Sequence, residues 1–277
     1  MKKNPTQTLF NLSNQVAVVT GGAGILCAAI CRYLADQEVK VAILDINRQA
    51  TDWLANDIIR SGGEAIGVPC DVCDRSSLEA AASQVISTWG KVDMLINGVG
   101  GNRPSATTRP DLPFFDISAE ALEGVFNLNL MGTILASQVF GRLMTAHKKG
   151  TILNLSSMNA YRPLTRIPAY SAAKAAVSNF TQWLAVHMAL EYSASIRVNA
   201  IAPGFFLTNQ NHDLLIDRES GELTERGQSI TTHTPMKRFG IPEDLLGAVL
   251  WLLSPASSFV TGIVVPVDGG FSAYSGV

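Results

Sequence analysis

The run Gln15-Val-Ala-Val-Val-Thr20 leads directly into Gly21-Gly22-Ala23-Gly24, and these residues carry the clearest indication of the fold. A short apolar run rich in β-branched residues is typical of a buried parallel strand. The apolar spacing from Ile25 to Glu38 then predicts a helix. Because a strand, a glycine-rich turn and a helix together present backbone N–H groups to an anion, this segment predicts a pyrophosphate site.

A second apolar run, Lys40 to Asp45, ends in a carboxylate about 20 residues beyond the glycines. In dinucleotide-binding folds such an acid accepts hydrogen bonds from the adenosine ribose hydroxyls. Ile46 follows it, so neither arginine nor lysine is present there to receive a 2′-phosphate. We therefore expect NAD(H) rather than NADP(H) as the cofactor.

Further strand-like runs recur along the chain, and helical patterns separate them. The strand-like runs lie near residues 15–20, 40–45, 65–70, 92–97, 151–156, 195–200 and 262–267. This alternation is typical of a doubly wound parallel sheet. Since repeats, low-complexity tracts and linkers are absent from the sequence, we predict a single α/β domain over residues 1–277. We expect a Rossmann-type sheet of about seven parallel strands with helices on both faces.

Net charge and hydropathy argue against a nucleic-acid-binding, a membrane-spanning or a secreted protein. The 277 residues carry a net charge of −2 with a pI of about 6.1, which argues against nucleic acid as a partner. No apolar run approaches the ~20 residues needed to cross a bilayer. The polar start from Met1 to Thr8 is unlike a secretory signal. We therefore expect a soluble cytoplasmic protein without a membrane partner.

The four cysteines are Cys27, Cys31, Cys70 and Cys73. The Cys70-x-x-Cys73 spacing could indicate a redox or metal pair, but no second pair has the spacing of zinc ligands. Cys27 and Cys31 belong to the apolar face of the first predicted helix. We expect small buried thiols in a reducing compartment, and we predict no metal site.

The segment Tyr170-Ser-Ala-Ala-Lys174 indicates the chemistry, together with Ser157 upstream. A tyrosine and a lysine four residues apart on a helix share one face. Because free tyrosine titrates near about pH 10, a neighbouring ammonium would favour the phenolate. A serine hydroxyl from a neighbouring strand could hold the oxygen on which the proton moves. This set predicts alcohol–ketone interconversion, although a tyrosine and lysine at this spacing also occur by chance on helix surfaces.

From about Leu12 to Gly270 the chain resembles the short-chain dehydrogenase/reductase family. The matching segments, in the family's order, are Thr20-Gly21, Asp71-Val72, Asn97-Gly98-Val99-Gly100, Asn129, Ser157, Tyr170 with Lys174, Pro203-Gly204 with Thr208, and Val267-Asp268-Gly269-Gly270. The resemblance implies that Ser157 holds the substrate oxygen and that Tyr170 is the general acid/base. It implies that Lys174 lowers the pKa of Tyr170 and binds the nicotinamide ribose. Asn129 would bend a helix and anchor a water leading to Lys174.

The same resemblance implies a cofactor site along the strand ends. Asp71 and Val72 would contact adenine, and Thr208 would meet the nicotinamide end. The complete predicted set is Gly21, Gly24, Ile25, Leu26, Asp45, Ile46, Asp71, Val72, Asn97, Gly98, Tyr170, Lys174, Pro203, Gly204, Phe206 and Thr208.

Two features depart from the family pattern. The usual turn is Thr-Gly-x-x-x-Gly-x-Gly, and an ungapped alignment places Ile25 and Cys27 at its last two glycines. Glycine there lets the backbone approach the phosphates and lets the helix pack close to the strand. Either Gly24 takes over through a local shift, which we favour, or the approach is looser. The second departure is Gly98, where the family often has asparagine, and we interpret it as tolerated variation.

Longer strings resemble family members described as D-mannonate oxidoreductases or fructuronate reductases. These strings are Gly100-Gly101-Asn102-Arg103-Pro104, Ser156 to Arg166, Ala202 to Thr208, and Leu223 to Gly227. The resemblance implies NAD(H)-dependent interconversion of D-fructuronate and D-mannonate. A gluconate 5-dehydrogenase-like or other polyol or keto-acid reductase is the alternative. A 3-oxoacyl-carrier-protein reductase is less favoured, because it would favour NADPH and a basic patch for an acidic carrier.

A sugar-acid substrate needs a cation for its carboxylate and polar groups for its hydroxyls. The predicted substrate contacts are Asn102, Arg103, Asn159 and Arg162, with Arg166, His212 and His233 as further candidates. For each arginine the alternative is an exposed or subunit-contact side chain. Residues 98–116 form a polar loop at a strand's carboxyl end. Residues 205–233 are longer than an ordinary connection, and we predict a substrate lid carrying short helices.

A non-catalytic dinucleotide sensor is the alternative from a different functional class. The altered glycine turn favours it, whereas the intact set of Asn129, Ser157, Tyr170 and Lys174 argues against it. The family resemblance also implies a homotetramer. Its contacts would involve the helices around residues 118–146 and 168–192 and the C-terminal strand.

Overall fold

Seven parallel strands form one sheet in the computed structural model, which describes residues 8–208, 212–218 and 220–276. The strands are β1 (Val16–Thr20), β2 (Lys40–Asp45), β3 (Glu64–Pro69), β4 (Met94–Asn97), β5 (Gly150–Leu155), β6 (Ile196–Pro203) and β7 (Val264–Val267). Their order across the sheet is β3-β2-β1-β4-β5-β6-β7. The predicted doubly wound parallel sheet is confirmed.

Helices connect the strands and cover both faces of the sheet. They are α1 (Ile25–Asp36), α2 (Arg48–Arg60), α3 (Arg75–Trp89), α4 (Ala119–Phe126), α5 (Gly132–His147), α6 (Pro168–Glu191), α7 (His212–Leu215), α8 (Glu225–His233) and α9 (Glu243–Leu253). A π-helical turn, Asn127–Met131, joins α4 to α5. Short 3₁₀ turns lie at Pro104–Ala106, Phe114–Asp116, Met158–Ala160 and Pro255–Ser257.

Strand β1 shows why the sheet needs helices on both faces. All of its residues are buried. Ala17 and Val19 pack into a core with side chains of α1 and α9, whereas Val16 and Val18 pack into a second core with side chains of α3 and α5. Because successive residues of a strand point to opposite faces, an uninterrupted apolar run fits a strand between two helical layers.

The order of strands reverses at β1, and this reversal places the binding cleft. From β1 the sheet continues through β2 and β3 on one side and through β4 to β7 on the other. In open α/β sheets, ligands bind beyond the carboxyl ends of the strands at such a reversal. The glycine turn after β1 and the turn after β4 both lie there.

Helix α6 is long enough to link two regions of the molecule. Its 24 residues extend for about 36 Å. Tyr170 and Lys174 lie in its first two turns, while Trp183 and Leu190 lie exposed further along it. Within the described residues, none of the helices, including α6, is both long and apolar enough to cross a membrane.

The cysteines differ in part from the expectation of buried thiols. Cys27, Cys31 and Cys70 are buried and free, as predicted, but Cys73 is exposed. Cys73 follows Asp71 and Val72 in the loop after β3 and lies outside the packed helical faces. In the described parts of the chain, no group of three or more His, Cys, Asp or Glu side chains is placed to hold a metal ion.

Candidate active site

A cleft of about 340 Å³ opens at the carboxyl ends of β1, β2 and β4. The predicted cofactor residues that line it are Gly21, Gly24, Ile25, Leu26, Asp45, Ile46, Asp71, Val72, Gly98 and Thr208. Residues that the sequence reasoning did not assign also line it, namely Cys27, Cys70, Val99, Gly100, Leu128 and Leu155. Val99 and Gly100 belong to a motif already singled out, whereas Leu128 and Leu155 carry no recognisable signal.

Other predicted cofactor residues lie outside the lining of this cleft. Asn97 is buried, and its amide nitrogen donates to the side chains of Ser137 and Asn154 at 3.0 and 2.8 Å. Asn97 therefore stabilises the core beneath the cleft. Phe206 is buried against Gly240. Of the predicted pair, Pro203 is the last residue of β6 and Gly204 follows it.

The glycine turn leads into a helix start that has no side-chain cap. Gly21 has φ +62°, and a Cβ there would lie 3.0 Å from the backbone of Val99, so the two turns touch. Helix α1 begins at Ile25, directly after the exposed Gly24, and no side chain caps its first turn. Uncapped N–H groups at a helix start are suited to bind phosphate. The start of α1 is therefore suited to a dinucleotide pyrophosphate, whereas the Gly24 N–H itself donates to the Gly21 carbonyl at 3.0 Å.

The ribose end of the cleft is formed by Asp45 and Ile46. Asp45 ends β2, and its carboxylate accepts a hydrogen bond from the Asn47 N–H at 3.1 Å. The Ile46 side chain is 75% exposed. This end of the cleft therefore offers an acceptor for ribose hydroxyls beside an apolar side chain rather than a cation.

The four predicted catalytic residues converge at one end of the cleft. Ser157 follows β5, and Tyr170 and Lys174 face it from α6. Lys174 is buried, with Nζ 5.7 Å from the Tyr170 ring centroid, and it donates to the Leu155 carbonyl at 2.8 Å. A Cβ on Gly100 would lie 2.8 Å from Lys174 Nζ and 2.6 Å from Asn129 Oδ1. Gly100 therefore keeps the lysine and the asparagine close together.

Asn129 lies in the π-helical turn and is fully buried. Its amide nitrogen donates to the carbonyls of Gly101 and Val125, both at 2.8 Å, and its oxygen accepts from the Gly101 N–H at 3.0 Å. π-Turns interrupt the regular helix and are frequent at functional sites. The helix is therefore interrupted at Asn129, whose side chain fastens the loop after β4 to the π-helical turn.

The protonation of Tyr170 and Lys174 is set mainly by burial. Burial raises the pKa of Tyr170, and a hydrogen bond with Ser157 partly opposes this. Burial lowers the pKa of Lys174 to about 8. The Lys174 ammonium is bound to the Leu155 carbonyl and lies beside the ring, so the expected lowering of the Tyr170 pKa by Lys174 is not found.

The predicted substrate residues fall into different environments. Asn159 is buried, and its N–H donates to the Ser157 hydroxyl at 3.3 Å. The Asn102 amide donates to Thr107 at 2.6 Å. The Arg103 guanidinium packs against helix α4, where a Cβ on Gly124 would lie 2.8 Å from it. Arg162 donates to the Ser272 carbonyl at 3.2 Å.

A second cavity, of about 430 Å³, lies between the segment before α6 and helix α8. Its polar lining consists of Thr165, Arg166, Glu225, Arg226, Ser229 and His233. The ion pairs that arginines form within the described residues involve other arginines, not Arg166 or Arg226. Ile167, which also lines the cavity, precedes Tyr170 by one helical turn. The sequence reasoning missed Arg226, because its proximity to Arg166 depends on how the chain folds back.

The predicted lid contains two helices, α7 and α8, and residues 209–211 and 219 of it lie outside the described residues. The Thr224 hydroxyl donates to the Leu214 carbonyl at 2.8 Å, which ties the helices together. At the base of the segment, Leu207 and Gly240 are joined by a 3.0 Å backbone hydrogen bond, and Gly240 also donates to the Phe205 carbonyl at 2.9 Å. The candidate His212 pairs with Asp213, whereas His233 faces the second cavity.

Comparison with known proteins agrees with this arrangement. Residues 22–272 match the family model described as enoyl-(acyl carrier protein) reductase. An uncharacterised oxidoreductase of Bacillus subtilis, UxuB, is 51% identical over 96% of this chain and 98% of its own length. The chain belongs to the short-chain dehydrogenase/reductase family. The predicted family is thus confirmed, and this family member is an oxidoreductase that acts on CH–OH groups with NAD(P).

Two solved structures of short-chain dehydrogenases bear on the ligands. One is a Haemophilus influenzae protein provisionally named a D-mannonate oxidoreductase, solved with bound NAD. It is 47% identical, covers 96% of this chain and 98% of its own, and has a TM-score of 0.90. The other is a gluconate 5-dehydrogenase from Burkholderia cenocepacia with NADP and tartrate, 28% identical over 97% and 99% of the chains, with a TM-score of 0.86. The bound NAD in the Haemophilus structure agrees with the predicted cofactor.

Proposed function

We propose that this short-chain dehydrogenase uses NAD(H) to interconvert a keto-sugar acid and its alcohol, with D-fructuronate and D-mannonate as the pair. The observation that carries the acid substrate is the second cavity, whose lining includes Arg166 and Arg226, neither of them in an ion pair among the described residues. This cavity reaches Ile167, which lies one helical turn before Tyr170. A guanidinium binds a carboxylate in a bidentate manner, and two arginines could hold it from opposite walls. Ser229 and His233 offer hydrogen bonds to sugar hydroxyls.

Tyr170 is the proposed general acid/base. In reduction its phenol gives a proton to the carbonyl oxygen, and in oxidation the phenolate takes it back. The Ser157 hydroxyl, which is hydrogen-bonded to the phenol, orients that oxygen. Because burial raises the pKa of Tyr170, the phenol is protonated at neutral pH and ready for reduction. Bound NADH supplies the hydride for this step.

Lys174 and Asn129 support the proton transfer in this proposal. With a pKa of about 8, Lys174 is mostly protonated at pH 7, so its ammonium can donate hydrogen bonds to the nicotinamide ribose. The Leu155 carbonyl fixes its ammonium. Asn129 holds the loop that contains Gly101, and it thereby positions Gly100 against Lys174.

The cofactor preference is proposed from the ribose end of the cleft. Asp45 accepts hydrogen bonds from ribose hydroxyls and repels a 2′-phosphate. Ile46 leaves that phosphate without a cation. The Haemophilus relative with bound NAD supports the same preference.

The deciding experiment measures NADH oxidation with fructuronate, 5-ketogluconate and acetoacetyl thioester. Turnover with fructuronate alone is expected. Turnover with 5-ketogluconate alone would favour the gluconate 5-dehydrogenase-like alternative, which the same arginine cavity and the Burkholderia relative also support. An absence of turnover with all three substrates, with tight NADH binding retained, would overturn the proposed activity and favour a non-catalytic dinucleotide sensor.

A pair of variants decides which arginine binds the carboxylate. We expect Arg226→Ala to raise the KM for the keto acid about tenfold or more, since a charge-assisted hydrogen bond contributes roughly 1.5–3 kcal/mol. Its KM for NADH should stay unchanged. Arg103→Ala is the matched comparison, because Arg103 packs against Gly124. A larger effect from Arg103→Ala would instead support the original assignment of Arg103.

Residues 205–233 are proposed to close over the substrate. The backbone hydrogen bond between Leu207 and Gly240 fixes the start of this segment, and the bond between Thr224 and Leu214 joins α7 to α8. The two helices could therefore move together. Closure would bring Arg226 and His233 towards Arg166. Limited proteolysis should therefore cut within residues 209–233 more slowly when cofactor and substrate are both present. Equal rates in their presence and absence would refute the lid.

A further inference from the structure

Cys27, from the first departure from the family pattern, lies against Gly98, which is the second. Cys27 is on the first turn of α1, and Gly98 is on the turn after β4. A Cβ built on Gly98 would overlap the Cys27 sulfur and would lie 2.7 Å from the Thr20 carbonyl. The space that a side chain at position 98 would occupy is therefore taken by the cysteine.

This contact lies between the two turns that form the wall of the cofactor cleft. The Gly98 N–H donates to the Thr20 carbonyl at 3.1 Å and to its hydroxyl at 3.2 Å. Gly21 packs on the Val99 backbone on the cleft side of this contact. Since the backbones already touch, the gap between the turns admits one side chain, and any second side chain must push the turns apart.

We propose that Cys27 and Gly98 are complementary in size, and that this fit positions the phosphate-binding turn for the dinucleotide. The Cys27 side chain on α1 is accommodated because the facing residue, Gly98, has no side chain. Cys27 is 3% exposed, and burial raises the pKa of its thiol to about 12, so the sulfur stays neutral and fills space. Gly98 is then a required glycine in this chain rather than tolerated variation.

The proposal predicts coupling between the two positions. Gly98→Ala should raise the Kd for NADH about tenfold, because overpacking displaces the turn. Cys27→Ala alone leaves a small void and should raise that Kd only about twofold. In Cys27→Ala/Gly98→Ala the new methyl group occupies the place of the sulfur. The double variant should therefore bind NADH more tightly than Gly98→Ala. Part of the loss in affinity should remain, because the new Cβ still lies too close to the Thr20 carbonyl.

Matched controls exist for both positions. Gly247→Ala, on helix α9 and outside the lining of the cleft, introduces a Cβ with no atom within 4 Å and should leave the NADH Kd unchanged. Cys31→Ala removes the thiol one turn further along α1 and should not rescue Gly98→Ala. If Gly98→Ala fails to fold, recovery of folded, NADH-binding protein by Cys27→Ala but not by Cys31→Ala is the expected result.

The measurements are NADH Kd by fluorescence and the thermal midpoint, each for the full chain. A double variant that binds NADH as weakly as Gly98→Ala would overturn the proposal. Recovery of the midpoint without recovery of the Kd would also overturn it, because the pair would then affect stability alone. The readout is cofactor binding, so its outcome does not depend on which substrate the enzyme uses.

Discussion

At the scale of single residues, Lys174 shows a conflict between folding and chemistry. An ammonium that is needed beside Tyr170 is buried at 3% exposure, with a backbone carbonyl as its partner. Burial lowers its pKa from 10.5 to about 8, a shift that corresponds to a penalty of about 3 kcal/mol for the charged form. The lysine is therefore retained at a cost in stability.

This cost predicts a pH dependence for Lys174→Met. The unfolded chain binds the lysine proton more tightly than the folded one, so the penalty is full below pH 8 and disappears above pH 10.5. Without nucleotide, Lys174→Met should be more stable than the wild type at pH 7, and the difference should shrink as pH rises to 9.5. Denaturant unfolding at several pH values measures it. The exposed Lys149→Met is the control, and a constant difference across pH would contradict the linkage.

Cofactor choice also depends on single residues. Asp45→Ser/Ile46→Arg removes the repelling carboxylate and supplies a guanidinium for a 2′-phosphate. We expect the ratio of kcat/KM for NADPH over NADH to rise about a hundredfold, as one or two charge-assisted hydrogen bonds would produce. Ile46→Met is the control for side-chain length. Equal efficiency of the wild type with both cofactors would refute the assigned role of this end of the cleft.

At the scale of elements, the end of helix α9 depends on one buried arginine. Arg197 of β6 donates to the carbonyls of Leu252, Leu253, Ser254 and Val260 and to the hydroxyls of Thr151 and Ser257. The side chain replaces the hydrogen bonds that the last carbonyls of a helix lack, and its charge suits the negative end of the helix dipole.

Removing this arginine should destabilise the fold. Arg197→Met leaves several buried carbonyls without donors, and each costs roughly 1–3 kcal/mol. We expect a loss of about 3 kcal/mol or more in the free energy of unfolding. Arg197→Lys keeps the charge but has fewer donors, so its free energy of unfolding should lie between those of the wild type and Arg197→Met. A thermal midpoint of Arg197→Met equal to that of the wild type would show that water replaces these bonds.

Sequence patterns were sufficient for the strands and for the Tyr170, Lys174 and Ser157 set, because their spacing within one helix or after one strand is local. The packing of Gly98 against Cys27 could not be predicted, since the two residues are far apart in the chain but adjacent in space. The Leu155 carbonyl that holds Lys174 left no trace in the sequence, because every residue has such a group.

At the scale of the whole molecule, an aromatic face suggests self-association. On α6, Phe180 and Trp183 stack, and Trp183 stacks on His187. Val186 and Leu190 are 60% and 77% exposed beside them. A groove of about 790 Å³ runs between this face and α5. We propose that a second copy of the chain covers this face within a homotetramer, in line with the family resemblance.

Charge placed on this face should separate the subunits. Leu190→Glu would bury a carboxylate in the contact, so light scattering should show a lower mass than for the wild type. Ile59→Glu on α2 is the matched control, since Ile59 is likewise an exposed apolar side chain, but α2 connects β2 and β3 at the far edge of the sheet from β5 and β6. A wild-type mass for Leu190→Glu would place the contact elsewhere.

The length of α6 has a practical consequence for enzymology. One rod carries the acid/base tyrosine at its start and the aromatic face near its end. If neighbouring copies hold the C-terminal end of α6 in place, dissociation on dilution lets the helix move. The Tyr170 phenol then shifts relative to Ser157. Turnover per subunit would then fall in very dilute assays and recover on concentration. Rates measured at nanomolar and at micromolar enzyme would then belong to the dissociated and the associated state, respectively.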